Sequence, residues 1–260
     1  LLAGAAGAAG KRAKAASSSA RAGARQSAGA SGASSEMAGV IQGQGSFAKS
    51  GTGTLTLSGA NVYGGSTTVE AGLLRLGADE AIPDASLLTV ASGAEFFLNG
   101  HTETVHRVAG TGKIHLASEL ILGGDNSSFE LTPEVYGTGT FTKAGTGTLT
   151  IRGSVALSSA GLVQVQGGAL AVGAGSATGD LGSAQVTLAA GTSLTVNRAG
   201  SFAFDNLVSG QGYLSLTASG ALAINKAVTS VLGPPSNSMR RTKDDTLEAA
   251  GTDGEIGRAH

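Results

Sequence analysis

Two stretches of this sequence are nearly the same: residues 47–57 read FAKSGTGTLTL, and residues 141–151 read FTKAGTGTLTI, 94 residues further on. Each ends in alternating Thr and aliphatic residues, which places the aliphatic side chains on one face of a short β-strand. The Gly-x-Gly pair before each alternation is typical of a tight corner, because Gly adopts positive φ at little cost. Both stretches therefore predict a corner followed by a half-buried strand.

The similarity continues along the chain. Later pairs of alternating segments match at offsets that grow in small steps, as when Leu74 aligns with Leu170, Phe96 with Leu194 and finally Leu120 with Leu222. Such drift is expected where insertions fall in loops and the strands keep their register. The sequence thus predicts two copies of a unit of about 95–100 residues between residues 40 and 232.

Composition excludes several classes of protein. The 260 residues include 43 Gly but neither Cys nor Trp, and the formal net charge is −1. Without Cys there is neither a disulfide scaffold nor a thiolate metal site. The balanced charge gives no electrostatic reason to expect a nucleic-acid partner. No segment shows a long helical apolar stripe or the roughly 20 apolar residues of a membrane helix. We therefore expect an all-β protein.

Strand-like segments recur about every 10 residues, too closely for crossover helices between parallel neighbours. This spacing leaves an antiparallel sandwich or barrel, or a parallel solenoid of stacked coils. The solenoid is favoured, because the inward positions hold small and medium aliphatics that stack in ladders. With coils of about 20 residues, it would have on the order of 9 or 10 coils and a length of about 45 Å.

The flanking segments lack this pattern. Residues 1–39 are rich in Ala, Gly, Ser and basic residues and are predicted to be a disordered linker. Residues 233–260 are expected to form an irregular tail, and the last six, EIGRAH, resemble the translation of a sequencing-library adaptor. Together with the missing initiator Met, this predicts an internal fragment of a longer protein.

The stretch from Lys49 to Leu76 resembles the passenger-associated repeat of bacterial autotransporters, which reads roughly K-x-G-x-G-T-L-x-L-x-G-x-N-x-Y-x-G-x-T-x-V-x-x-G-x-L-x-L. It matches every fixed position apart from a one-residue slip near Leu73. The second copy fits from Lys143 to Gly153 but lacks the Asn-x-Tyr-x-Gly part. Through the internal repeat, the resemblance covers about residues 40–225.

The resemblance implies a right-handed, single-stranded parallel β-helix that belongs to the passenger domain of an autotransporter. It also implies export through a C-terminal translocator barrel, which would lie outside this chain, and a place at the cell surface, in the outer membrane or outside the cell. The expected role is a non-enzymatic stalk or adhesin scaffold that assists its own secretion and folding. Its expected partners are host or cell-surface glycans and proteins, or further copies of itself.

No catalytic, cofactor-binding or metal-binding residue is assigned from the sequence. His101, His106, His115 and Glu103 are close in sequence but fall on separate segments, so we expect them on solvated outer faces rather than around a metal. The acidic group Asp79, Glu80 and Asp84 is expected to be ordinary surface, without partners from adjacent coils. Asn61, lacking a counterpart in the second copy, is expected to serve a turn.

One alternative stays open at this stage. Some parallel β-helices are carbohydrate-active enzymes, either polysaccharide lyases or tailspike-like glycosidases. Such an enzyme needs several carboxylates or basic residues from successive coils to meet in one groove. The scattered charges of the sequence argue against this reading.

Overall fold

In the computed structural model of the protein, residues 26–28, 32–229, 239–241 and 247–249 are described. Their regular structure is all β-strand, and they include no helix with the length and hydropathy needed to cross a bilayer. The chain winds into a solenoid in which each turn passes three faces in order.

The strands of the three faces are as follows. Two five-stranded sheets form the first face: β1 (Gln26–Ala28), β4 (Phe47–Lys49), β7 (Thr67–Val69), β9 (Leu87–Val90) and β12 (Arg107–Gly110), followed by β15 (Phe129–Leu131), β18 (Thr148–Ile151), β21 (Ala169–Ser176), β23 (Ser193–Arg198) and β26 (Tyr213–Ala218). The second face holds β2 (Ser35–Met37), β5 (Thr54–Leu57), β8 (Leu73–Leu76), β10 (Glu95–Phe97), β13 (Lys113–Leu116), β16 (Glu134–Gly137) and β19 (Ser154–Leu157), then β24 (Phe202–Phe204) and β27 (Leu222–Ile224). The third face holds β3 (Gln42–Gly43) and β6 (Val62–Tyr63), then β11 (Glu103–Val105), β14 (Glu119–Leu122), β17 (Thr140–Lys143), β20 (Leu162–Val165), β22 (Gln185–Leu188), β25 (Val208–Gly210) and β28 (Val228–Thr229). Outside the solenoid, β29 (Met239–Arg241) and β30 (Leu247–Ala249) form an antiparallel pair.

Every pairing between neighbouring coils of the solenoid is parallel, and the first face is crossed ten times. The register advances by 17 residues where Glu103 meets Leu120 and by 24 where Leu170 meets Leu194. Loops absorb this variation while the strands stay aligned. The structure confirms the parallel β-helix and the expected 9 or 10 coils.

Aliphatic ladders fill the interior. On the second face, successive coils stack fully buried side chains one above another: Leu55, Leu74, Phe96, Ile114, Val135 and Val155. Parallel pairing places each residue on its counterpart in the next coil, so a single inward position becomes a continuous apolar column. The alternating pattern of the sequence marks these columns directly.

The solenoid begins earlier than the predicted boundary at residue 40. Gln26–Ala28 pairs with Phe47–Lys49, and Ser35–Met37 pairs with residues 55–57. The Met37 side chain packs against the core. These short strands lie within the segment predicted to be a linker, because pairing with the next coil does not require a strong apolar pattern. Residues 1–25 and the last six residues lie outside the described part.

The two sequence copies occupy different faces of the solenoid. In the first copy, the strand Thr54–Leu57 belongs to the second face, whereas its counterpart Thr148–Ile151 belongs to the first. Likewise, Phe47 lies on the first face and Phe141 on the third. At about 20 residues per turn, 94 residues make about four and two-thirds turns, so the second copy starts one face away from the first.

Each copy buries its repeat lysine. The Lys49 Nζ donates hydrogen bonds to the carbonyls of Ser50, Gly51 and Ala71 at 2.7–2.9 Å, and Ala71 lies in the next coil. In the second copy, the Lys143 Nζ bonds the carbonyls of the two residues that follow it and that of Gly167, again one coil on. Both lysines are fully buried, and burial lowers the pKa of each. Three carbonyls satisfy the three ammonium donors, so each lysine ties two coils together.

Polar side chains also join coils at the corner after the second face. The buried Asn61 amide bonds Ile41 N, Gly59 O and Ala81 O, which span three coils, so its role goes beyond the predicted turn. The Glu103 carboxyl is fully buried and accepts hydrogen bonds from the amides of Ala81 and Ile82. Burial and the nearby charge of Glu80 raise the pKa of Glu103 to about 9, so the group is neutral at pH 7.

We call the three carbonyls around Lys49 or Lys143 a lysine cage. Replacing either caged lysine by methionine should destabilise the fold. Lys49→Met and Lys143→Met keep most of the apolar stem but remove the ammonium hydrogen bonds to partly buried carbonyls, at an expected cost of about 1–3 kcal/mol each. Urea unfolding at equilibrium measures this cost. The exposed Lys226→Met is the matched control and should stay within about 0.5 kcal/mol of the parent. Equal stability of all three variants would contradict a stabilising role for the hydrogen bonds of the buried lysines.

Glu103 should make stability fall as pH rises. Because the folded pKa is about 9 and the unfolded one about 4.5, the folded state holds the extra proton between these values. This contribution is complete below the unfolded pKa and is lost as pH rises through the folded one. The free energy of unfolding, measured with urea, should fall between pH 5 and pH 9 by more than about 1 kcal/mol more for the parent than for Glu103→Gln. The exposed Glu130→Gln should retain the parent slope.

Candidate functional site

The outer surface of the second face carries two parallel rows of side chains. The row nearer the strand starts runs along the axis as Thr54, Leu73, Glu95, Lys113, Glu134 and Ser154. The second row runs as Glu36, Thr56, Arg75, Phe97, His115, Tyr136 and Ala156. Both rows follow from the register, because outward residues stack in the same way as inward ones.

Three rings of the second row form a continuous stack. The Phe97 and His115 ring centroids are 4.5 Å apart at an interplanar angle of 14°. The His115 and Tyr136 centroids are 4.7 Å apart at 10°. These distances match the spacing of adjacent strands, so the ring planes lie across the solenoid axis. We call Phe97, His115 and Tyr136 the ring stack.

Charged groups of alternating sign flank the ring stack. The Lys113 Nζ lies 2.9 Å from a Glu134 carboxylate oxygen and 5.9 Å from the Tyr136 ring centroid. The Tyr136 hydroxyl donates a hydrogen bond of 2.7 Å to Glu95 Oε1. Burial and this bond raise the pKa of Tyr136 to about 12, which keeps the hydroxyl protonated as a donor. These contacts fix the orientation of the last ring.

The two ends of the ring stack differ. At the Phe97 end, the register places Arg75 on the next position, where its guanidinium bonds Thr56 Oγ1 at 2.9 Å. At the Tyr136 end, the next position is the exposed Ala156. In the following coil, Gly182 lies against the Ala156 backbone. The outer face of the Tyr136 ring therefore borders two positions that have almost no side chain.

The other outer faces have a different composition. The outward row of the first face is Thr68, Thr89 and Ala109, continued by Glu130, Thr150, Ala171, Thr195 and Ser215, and it is preceded in register by the fully buried Ala48. On the third face it is Thr104, Ile121, Thr142, Gln164, Thr187, Ser209 and Thr229, of which Thr142 is fully buried beneath its bond to Glu119. Aromatic and charged residues are thus concentrated on the second face, which makes it the candidate site.

The histidines singled out in the sequence lie apart. His101 pairs with Asp79 at 3.0 Å, and His106 pairs with Asp125. His115 belongs to the ring stack. No group of three or more potential ligands that could hold a metal occurs among the described residues. His260 lies outside the described part.

The acidic group Asp79, Glu80 and Asp84 is exposed at the surface. Asp79 bonds the amide of Thr102, and Glu80 bonds the amide and hydroxyl of Thr104, both in the next coil. The prediction of a solvated outer face was wrong for Glu103, which is fully buried. The charge of Glu103 suggested an outward position, but Glu103 shares the inward face with Val105, and the backbone amides of Ala81 and Ile82 bond its carboxyl there.

Sequence reasoning missed the ring stack. Phe97, His115 and Tyr136 are 18 and 21 residues apart, and each looks like an isolated outward residue. The signal was the coil period itself, since residues separated by about one turn stack on one face. That signal becomes usable only when the length of each individual coil is known.

Comparison with known proteins supports the family resemblance. The family described as passenger-associated-transport-repeat matches residues 47–76 and 141–172. The chain is also 35% identical over 114 residues to the adhesin BmaC autotransporter of Brucella suis biovar 1 (strain 1330). This match covers 40% of the chain and 3% of that relative's length. No solved structure matches the chain significantly.

The matched repeats coincide with structural features. Each begins at the buried Phe that precedes a caged lysine, and each ends in the aliphatic strand of the following coil. One repeat therefore spans more than one full turn, including the contact through which its lysine holds the next coil. The chain thus carries two passenger-associated transport repeats on a parallel solenoid and is similar to a small part of an autotransporter adhesin, findings that indicate a protein of the cell surface, the outer membrane or the extracellular space.

Proposed function

We propose that this segment is a non-enzymatic stalk and adhesin scaffold whose repeats help it to fold during its own secretion. The observation that carries this proposal is that each caged lysine bonds both its own coil and the next one. A chain that leaves a cell through a pore presents its coils in sequence. Coils that stack only on their neighbours can fold in the same order.

The adhesin role draws on the relative and on the outer surface. That relative is named an adhesin, and the chain covers a small part of it, so the assignment here is a proposal. Exposed Thr and Ser side chains offer hydroxyl groups along the first and third faces, and the ring stack offers an apolar strip on the second face. Many weak contacts along a rod suit attachment to a surface.

The carbohydrate-active alternative receives less support. Among the described residues, Glu103 has the carboxyl pKa that a general acid requires, but it is fully buried and bonded to backbone amides. On the second face, Glu134 is paired with Lys113 and Glu95 accepts from Tyr136. These carboxylates lie on a flat sheet surface, and their partners serve the architecture of that surface.

A glycine in the second repeat should control secretion. A Cβ at Gly147 would lie 2.1 Å from the Ser127 carbonyl oxygen of the preceding coil, so Gly147→Ala should force the coils apart and cost about 1–3 kcal/mol. With the chain fused to a translocator domain, surface antibody labelling should fall several-fold for this variant. Gly124→Ala, where a Cβ would meet nothing within 4 Å, is the control. Equal labelling of both variants would argue against folding-assisted secretion.

Cells that display the chain should adhere. In a Gram-negative host without adhesins of its own, the displayed chain should raise attachment to cultured epithelial cells several-fold over the translocator domain alone. Counting attached bacteria at matched surface amounts measures this effect. Attachment no greater than that of the translocator control would overturn the adhesin part of the proposal, while the Gly147 experiment would still test secretion.

A further inference from the structure

We propose that the uncovered face of Tyr136, at the open end of the ring stack, binds a neutral pyranose unit of a glycan. The site comprises Tyr136, Ala156, Glu134, Ser154 and Asp180. This inference rests on the adhesin role proposed above and adds to it a place on the fold and a class of ligand.

Shape is the first argument. The ring stack advances one ring per coil, at 4.5 Å and then 4.7 Å between centroids. At the next position, Ala156 supplies only a methyl group, and Gly182 follows it. A six-membered ring with an apolar face can therefore continue the stack on Tyr136. A pyranose chair does so with the axial C–H groups of one face against the aromatic ring, while its hydroxyls point outward.

Preorganisation is the second argument. The Tyr136 hydroxyl is held by Glu95, and the other face of its ring is covered by His115. The ring therefore has little freedom left to lose when a ligand stacks on it. A rigid aromatic anchor of this kind binds with a small loss of conformational entropy.

Polar groups suited to hydroxyls surround this position. Glu134, 45% exposed at its side chain, lies in the adjacent row on the same coil as Tyr136. Ser154 occupies that row one coil on, beside Ala156, and forms a backbone bridge with the exposed Asp180. Two carboxylates and a hydroxyl can accept and donate hydrogen bonds to a polyol, which contains both kinds of group.

The charge of the surface around the ring stack indicates which class of ligand it favours. Glu36, Glu95 and Glu134 outnumber Arg75 and Lys113 in the two rows, and the exposed Asp180 adds a further carboxylate at the site. The surface around Tyr136 is therefore net negative and would repel a polyanion or an acidic sugar. A neutral sugar meets no such penalty. The net charge thus favours an uncharged glycan over an acidic one.

Saturation-transfer difference NMR on the full chain tests the site. The probes are methyl β-galactopyranoside, methyl β-glucopyranoside and, as the acidic comparison, N-acetylneuraminic acid. We expect transfer to the axial C–H protons of at least one neutral pyranoside, strongest on one face of the sugar. No transfer from the folded parent to either neutral probe, or transfer to the acidic probe alone, would overturn the inference.

Four variants locate the binding. Tyr136→Ala and Ala156→Leu should each lower affinity by about tenfold or more, the first by removing the ring and the second by covering it. Tyr136→Phe should bind within about threefold of the parent, because the ring is retained. Tyr213→Ala, which removes an exposed tyrosine on the first face, is the control. Ala156 is exposed, so its variant tests the site even if Tyr136→Ala unfolds.

The remaining outcomes separate this inference from the adhesin proposal. Unchanged binding in both Tyr136→Ala and Ala156→Leu would overturn the site. Dimerisation of the parent that Tyr136→Ala abolishes, seen by sedimentation, would show that a second copy occupies the face instead. Displayed chains that adhere without binding either pyranoside would leave the adhesin proposal standing and reject this one. Binding without adhesion would do the reverse.

Discussion

Parallel hydrogen bonding between successive coils is the constraint on which the rest of this structure depends. It holds each residue about 4.8 Å from its counterpart one turn away, so the environment of a side chain is set largely by residues about 20 positions before and after it. Apolar columns follow directly, as in the run from Leu55 to Val155. Polar contacts between coils follow from it as well, because Lys49, Asn61 and Glu103 all form hydrogen bonds with the backbone of a neighbouring coil. These side chains satisfy corner groups that no strand partner reaches.

The same constraint organises the outer surface. Outward residues of successive coils are brought together whatever their type, so rings stack on rings and charges come to lie beside charges. On the second face, Glu95, Lys113 and Glu134 alternate in sign, which turns stacking into attraction, and Phe97, His115 and Tyr136 share their ring faces. Where a small residue follows a large one, as Ala156 follows Tyr136, the solenoid leaves a ring face uncovered. Function in such a fold can therefore arise from the order of residue types along a single row.

Duplication had an unusual geometric result in this chain. Because the repeat length is not a whole number of turns, matching strands of the two copies lie on different faces of the solenoid. Both copies keep the lysine cage, with Lys49 on the first face and Lys143 on the third. Asn61 has no counterpart in the second copy. There the buried Asn206 bonds the Ala184 carbonyl of the preceding coil and provides a comparable tie.

The sequence by itself determined the strands, their order and the solenoid, because the alternation around Leu55 and Leu149 and the duplication record which side chains are inside. Conserved spacing within the repeats also carried the family resemblance. The tertiary structure alone decided the solenoid's start at Gln26, the change of face between the copies, the burial of Glu103 and the ring stack. The physical reason is that these features depend on register between coils. Register depends on the lengths of the loops, which vary from turn to turn. It is established only when the backbone of one coil forms hydrogen bonds with the next.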